Sequence, residues 1–127
     1  MSSLPIPTVT DAELEILRLL WETAPLTVRQ ITKPLYPACK ASDVATVQKL
    51  IQRLENKKLV TRDRSAHAHQ FSPSMTQHEF AGAQLAEMAD KLSEGSLTPL
   101  LVHLVESERI SAEDRLEIRK LLSRHSK

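Results

Sequence analysis

Thr10 stands three residues before Glu13, Thr27 before Gln30, Thr76 before Glu79 and Ser111 before Asp114. Each pair reads as a capping box, in which a hydroxyl and a carboxylate or amide satisfy the free N–H groups of a helix start. Apolar residues at helical spacing follow every one of them, so the chain is committed to a series of short helices. Only two glycines occur, which argues against a turn-rich all-β fold. Aromatic residues make up 3% of the chain, so the core must come from Leu, Ile, Val and Ala. The 127 residues suit one ordinary domain, or a small domain with an appended piece.

Residues 1–9, with Pro5 and Pro7, read as a lead-in. The first helix opens at Thr10 and carries Leu14, Leu17 and Trp21, with Ile16 and Leu20, as its apolar stripe; Ala24-Pro25 stops it. The second opens at Thr27 and buries Val28, Ile31 and Leu35, with Pro34 kinking or ending it. After the loop YPACKA, Ser42 or Asp43 caps a third helix whose inward set is Val47, Leu50, Ile51 and Leu54. LVTRD (59–63) and AHQFS (68–72) then read as two strands around a tip at Arg64 to His67, closed by Pro73. Three helices followed by a hairpin is the winged form of the helix-turn-helix, in which the third helix enters the major groove and the hairpin touches the flanking backbone. The expected fold is therefore mainly α with a small β-hairpin. It comprises a winged helix-turn-helix DNA-binding domain over 10–73 and a C-terminal three-helix dimerisation domain over 74–127.

The net charge of +1 conceals an uneven distribution. Between Pro25 and Ser72 nine bases face three acids, +6; residues 1–24 hold one base against four acids, and residues 73–127 seven against nine. A cationic block confined to one unit is the footprint of a polyanion partner. On the third helix the outward candidates for reading DNA are Ser42, Thr46, Gln48, Lys49, Gln52 and Arg53. Gln pairs with adenine, Lys and Arg reach guanine or phosphate, and the Thr methyl meets the thymine methyl. The plain alternative is a solvated helix face. On the hairpin, Arg62, Arg64 and His67 are candidates for the flanking backbone, against a merely polar tip.

From Met75 onward the character changes. Ala81, Leu85, Met88 and Leu92 recur at helical spacing, Gly95 ends that region, and LTPLLVHLV is apolar on nearly every side. The last helix sets Leu116, Ile118, Leu121 and Leu122 inward. Three short helices cannot bury this much apolar surface alone, and the simplest partner is a second copy. Leu85, Met88 and Leu92, then Leu97, Leu100, Leu101, Leu104 and Val105, with Leu121, are the expected dimerisation residues.

Other classes find little support. Cys39 is the only cysteine, so no internal disulfide forms, and it reads as a small apolar filler. No glycine-rich phosphate loop, paired carboxylates or nucleophile–base spacing occurs, so an enzyme is not expected, and no cofactor is. His67 and His69, alternating on one strand, could begin a metal site with His78 or Cys39, but further ligands are not evident and no metal is assigned. The apolar run Ser96 to Val105 is too short to span a bilayer. MSSLPIPTVT lacks the basic-then-apolar order of a secretory signal, and a cytoplasmic protein is the expectation. A winged-helix module binding an acidic protein, or a metal-responsive regulator, are the competing readings.

TDAELEILRLLW, ATVQKLIQRLENKKLV and RDRSAHAHQFSP resemble the penicillinase and methicillin-resistance repressor family (BlaI/MecI/CopY), winged-helix transcriptional regulators of bacteria. The resemblance runs from Thr10 to about Ser123; its most specific parts are Trp21 and the T-V-x-x-L-I-x-R-L-x-x-K core from Thr46 to Lys57. It implies an N-terminal DNA-binding domain and a C-terminal dimerisation domain that repress an operon from a dyad operator. Family members usually carry Gly where this chain has Lys58. The copper-responsive branch has a C-terminal cysteine motif, which RLEIRKLLSRHSK lacks. In the β-lactam branch a membrane sensor-protease pathway leads to cutting of an Asn-Phe bond. Aligned on Gly95, that bond falls at His103-Leu104, a possible proteolytic site made of neither of the family's residues.

Overall fold

The computed structural model describes residues 7–65 and 67–125 and contains six helices and one hairpin. In chain order these are α1 (Asp11–Thr23), α2 (Val28–Leu35), α3 (Ala41–Asn56), β1 (Val60–Asp63), β2 (Gln70–Pro73), α4 (Gln77–Ser93), α5 (Thr98–Glu106) and α6 (Ala112–Arg124). The chain divides into two compact units, 1–84 and 85–127, with the boundary inside α4.

Local chemistry accounts for most helix starts. Thr10 and Glu13 exchange hydrogen bonds, as do Thr27 with Gln30 and Thr76 with Glu79. At Ser111 only half of the expected box forms: the Asp114 amide donates to Ser111 Oγ at 3.0 Å, with no return bond among the described residues. The third helix begins earlier than its sequence suggests. Its N-cap is Lys40, not Ser42 or Asp43, because Asp43 at the third helical position reaches back and accepts from the Lys40 amide at 3.0 Å. A lysine ammonium has no acceptor to return the favour, so one carboxylate does the capping. Pro34 lies inside α2, which ends one residue later.

In the first unit α1, α2, α3 and the hairpin enclose one core. Ile16, Leu17 and Leu20 of α1 meet Ile31 of α2, Val47, Ile51 and Leu54 of α3, and Leu59, Val60 and Phe71 of the hairpin. β1 and β2 pair antiparallel, with Val60 opposite Pro73, Thr61 opposite Ser72, Arg62 opposite Phe71 and Asp63 opposite Gln70. Both strands are shorter than their apolar and β-branched residues suggested: the second starts at Gln70, so His67 and His69 sit in the turn and do not alternate on a strand. The α1–α2 connection adds a further rung. The Leu26 amide donates to the Phe71 carbonyl at 3.0 Å, and the Phe71 amide donates back at 2.8 Å. The hairpin is thereby stitched to the helices as well as packed on them.

The unit is closed by Trp21, whose indole N–H donates to the Met75 carbonyl at 2.9 Å while its ring lies 5.5 Å from Phe80. Lys58, just after α3, adopts φ +63° and Gly95, after α4, φ +88°. Glycine reaches that region without penalty, whereas a lysine brings its Cβ against the following carbonyl.

The second unit is helical and leaves many of its large apolar residues exposed. Leu116, Ile118, Leu121 and Leu122 of α6, expected inward, are exposed in the single chain, with Leu122 at 67%. The exposed large apolar side chains of the described residues all lie beyond residue 84. No helix among the described residues is long and apolar enough to cross a membrane.

Candidate nucleic-acid interface

Val47, Leu50, Ile51 and Leu54 turn one face of α3 into the core, so the opposite face must meet solvent. Ser42, Thr46, Lys49 and Arg53 follow one line at spacings of four, three and four, and Gln48 and Gln52 lie beside it; all six are exposed. The structure thus gathers every helical candidate on one surface. Thr46 Oγ1 donates to the Ser42 carbonyl at 3.0 Å, which commits its hydroxyl proton inside the helix. The face carries Lys49 and Arg53, both exposed and without an ion-pair partner among the described residues, and its one late acid, Glu55, is half-buried and already engaged.

The far end of α3 is anchored to α1. Lys57 Nζ lies 2.7 Å from Glu13 Oε1 and 2.6 Å from the Thr8 carbonyl. The Glu13 side chain has no exposed surface, whereas that of Lys57 keeps 27% of its own. Burial by itself would raise the Glu13 carboxyl; hydrogen bonds from the Lys57 ammonium and the Thr10 amide, and the Lys57 charge, outweigh it and hold the group below its ordinary range.

The hairpin candidates separate into two kinds. Arg64 and His67 are exposed at the turn, with Ala66 outside the described residues. The turn is shaped by Asp63, whose Oδ1 accepts from the Ser65 hydroxyl at 2.7 Å and the Ser65 amide at 2.9 Å. Those two bonds hold the exposed Asp63 carboxyl below its usual range. Arg62 is different. Its Nε and Nη2 donate to Glu55 at 3.0 and 2.7 Å, its Nη1 lies 3.2 Å from His69 Nδ1, and its guanidinium stands 5.0 Å over the Phe71 ring. From its charge alone Arg62 counts among the outward cations, and nothing local in the sequence pairs it with Glu55. The available signal was the strand period: Arg62 shares a face with buried Val60, and a charge on that face needs a partner.

Other candidate chemistry is not assembled. Among the described residues no group of three or more His, Cys, Asp or Glu could hold a metal ion. His67 and His69 lie in the turn and His78 in the first turn of α4, while Cys39 is half-buried ahead of α3. The expected dimerisation residues occupy α4, α5, the turn before α5, and α6. Leu85, Met88, Leu92, Leu97, Leu101, Val105 and Leu121 are exposed, and Leu100 and Leu104 are half-buried. His103 and Leu104 lie within α5, His103 exposed.

Three packed helices, a hairpin, and a third helix whose polar face, bearing Lys49 and Arg53, turns away from the core make a winged helix-turn-helix, the architecture of a transcription regulator. The chain belongs to the penicillinase repressor family, whose profile matches residues 9–124. That family is one of transcriptional repressors and not of enzymes. The protein is 21% identical over 120 residues to the penicillinase repressor of Bacillus licheniformis, covering 94% of this chain and 93% of that one. It is 34% identical over 115 residues to the transcriptional regulator BlaI of Mycobacterium tuberculosis, covering 89% and 81%. Among solved structures, a MarR family protein from Bacillus stearothermophilus aligns with 24% identity and a TM-score of 0.47, over 95% of this chain and 78% of that chain.

Proposed function

We propose that this protein is a cytoplasmic repressor that binds a dyad operator in double-stranded DNA as a homodimer. Residues 43–57 of each copy enter a major groove, with Ser42 at the entry and Thr46, Gln48, Lys49, Gln52 and Arg53 toward base edges and phosphates. The hairpin turn, through Arg64 and His67, lies on the flanking backbone. The observation that carries the reading is the division of α3 into an apolar face held by the core and a polar face with two exposed cations, Lys49 and Arg53. Such a face suits phosphates and base edges, and its charge lies in the +6 block.

Pairing of two copies through α4, α5 and α6 follows from the apolar side chains left exposed there, Met88 at 50% and Leu92 at 69% among them. Water on so much Leu, Val and Met surface is unfavourable at roughly 25 cal/mol per Å², and a second copy removes it. A two-fold dimer also reads a palindrome with both helices at once. Release from DNA belongs to the same reading: a membrane sensor-protease pathway would lead to cutting at His103-Leu104. Because that bond lies inside α5, the helix must open locally before a protease can take it.

Hydroxyl-radical footprinting on a genomic fragment upstream of the reading frame tests the proposal. The expected pattern is two protected half-sites related by dyad symmetry, centred roughly one or two helical turns apart. A single protected site without symmetry, or protection by a variant that cannot dimerise, contradicts it.

A further inference from the structure

We infer that Arg62 and Glu55 form a brace that fixes the angle of the hairpin on α3, and that Arg62 is a positioning residue and not a phosphate contact. The inference rests on the DNA-binding reading above and deepens it. Glu55 stands on the last turn of α3 and Arg62 on β1, so their bond joins the element proposed for the groove to the one proposed for the backbone. The pairing is two-pronged, Nε to Oε2 at 3.0 Å and Nη2 to Oε1 at 2.7 Å. A planar guanidinium meeting a carboxylate in this way fixes orientation as well as distance, which a single contact does not.

Two further contacts close the remaining freedom. Phe71, directly opposite Arg62 in the strand register, lies under the guanidinium at 5.0 Å and is itself in the core. On the third side His69 presents Nδ1 at 3.2 Å; since a guanidinium only donates, that nitrogen is the acceptor. Carboxylate, ring face and imidazole thus surround Arg62, and both it and Glu55 are half-buried, with side-chain exposures of 27% and 21%. To reach a phosphate Arg62 would have to abandon all three. Arg64, two residues on, is exposed and unencumbered among the described residues. The hairpin therefore has one cation for holding its own shape and another for DNA.

The test compares Glu55→Ala, Arg62→Ala, Arg62→Lys, the double Glu55→Ala/Arg62→Ala variant and Arg64→Ala in full-length protein. Binding to a labelled palindromic duplex is titrated across a salt series, and hydrogen exchange of the hairpin amides is followed without DNA. The brace predicts that Glu55→Ala and Arg62→Ala each weaken binding about tenfold, and that the double variant is no worse than either. Their slopes of log affinity against log salt stay at the wild-type value, and Arg62→Lys does not rescue, lacking the fork. Arg64→Ala alone lowers the slope, by about 0.9 per phosphate lost. If Arg62 touches phosphate instead, Glu55→Ala tightens binding by removing an acid and freeing a cation, Arg62→Ala lowers the slope, and the brace is overturned. The exchange arm is independent of DNA: Glu55→Ala should speed exchange at the β1 and β2 amides while the α1 and α3 core amides stay protected. Unchanged hairpin protection overturns the brace. A wild-type protein indifferent to every duplex overturns the DNA reading, and hairpin exchange still decides the brace.

Discussion

Lys57 Nζ rests 2.7 Å from Glu13 Oε1, joining the C-cap of α3 to the first turn of α1 across 44 positions of sequence. Because Lys57 also reaches the Thr8 carbonyl, one ammonium gathers the lead-in, the first helix and the end of the third. The inclination of α3 is set by this anchor on one side and by the core on the other.

Removing one partner leaves the other charge without compensation. Lys57→Met should destabilise the first unit by about 2 kcal/mol, below the full value for a deeply buried pair because Lys57 is partly solvated. Chemical denaturation followed by Trp21 fluorescence measures it, and a loss under about 0.5 kcal/mol would show the pair to be idle.

The same pair fixes a pH dependence. The folded-state carboxyl of Glu13 lies below its ordinary value of 4.5, so its contribution is fully present above that pH and disappears as pH falls through the lower folded value. Wild type should therefore exceed Glu13→Gln in melting temperature at neutral pH, and the gap should close on acidification below about 4.5. A gap that widens toward acid would reverse the assigned sign.

Lys58 holds φ +63°, where a side chain costs roughly 1–2 kcal/mol and glycine nothing. Against that, glycine loses more freedom on folding, by roughly 0.5–1 kcal/mol. Lys58→Gly should stabilise by up to about 1 kcal/mol in urea unfolding. Any clear destabilisation would mean that the lysine side chain makes a contact worth more than its strain.

Leu101 is 41% exposed on α5, in the stretch expected to pair two copies. Leu101→Asp should raise the dimer dissociation constant by at least about a hundredfold, since burying an unpaired carboxylate costs several kcal/mol. Sedimentation equilibrium reports it. A dimer of unchanged strength would move the interface elsewhere.

What was legible in the sequence was what is local. Thr10–Glu13, Thr27–Gln30 and Thr76–Glu79 act across three residues, and the apolar period of α3 divides its faces without help from elsewhere. The start of α3 was misplaced because lysine is a poor cap and the stabilising group, Asp43, acts backward from inside the helix. Nor could local pattern show the Leu26–Phe71 rung or the Glu13–Lys57 pair, since both depend on the chain returning to itself. The contacts of Arg62 were hidden for the same reason: its charge suggests an outward contact, and only the folded hairpin brings Glu55, Phe71 and His69 around it. The α6 leucines showed their period faithfully, but a period cannot say whether the apolar face meets its own chain or another copy.

The polar face of α3 supplies two cations that single substitutions can remove. Lys49→Ala and Arg53→Ala should each weaken duplex binding several-fold and lower the salt slope by about 0.9 if the contact is to phosphate. Circular dichroism should show the fold unchanged, because both side chains are exposed. Loss of helicity would attribute the weaker binding to unfolding.

The most direct measurement is fluorescence anisotropy of a palindromic duplex titrated with the wild-type protein from roughly 50 to 200 mM salt. The expected result is saturable binding at two protein chains per duplex, with log affinity falling linearly on log salt at a slope of several. No binding at the lowest salt, or affinity that ignores salt altogether, contradicts the assignment of α3 as a DNA-reading helix.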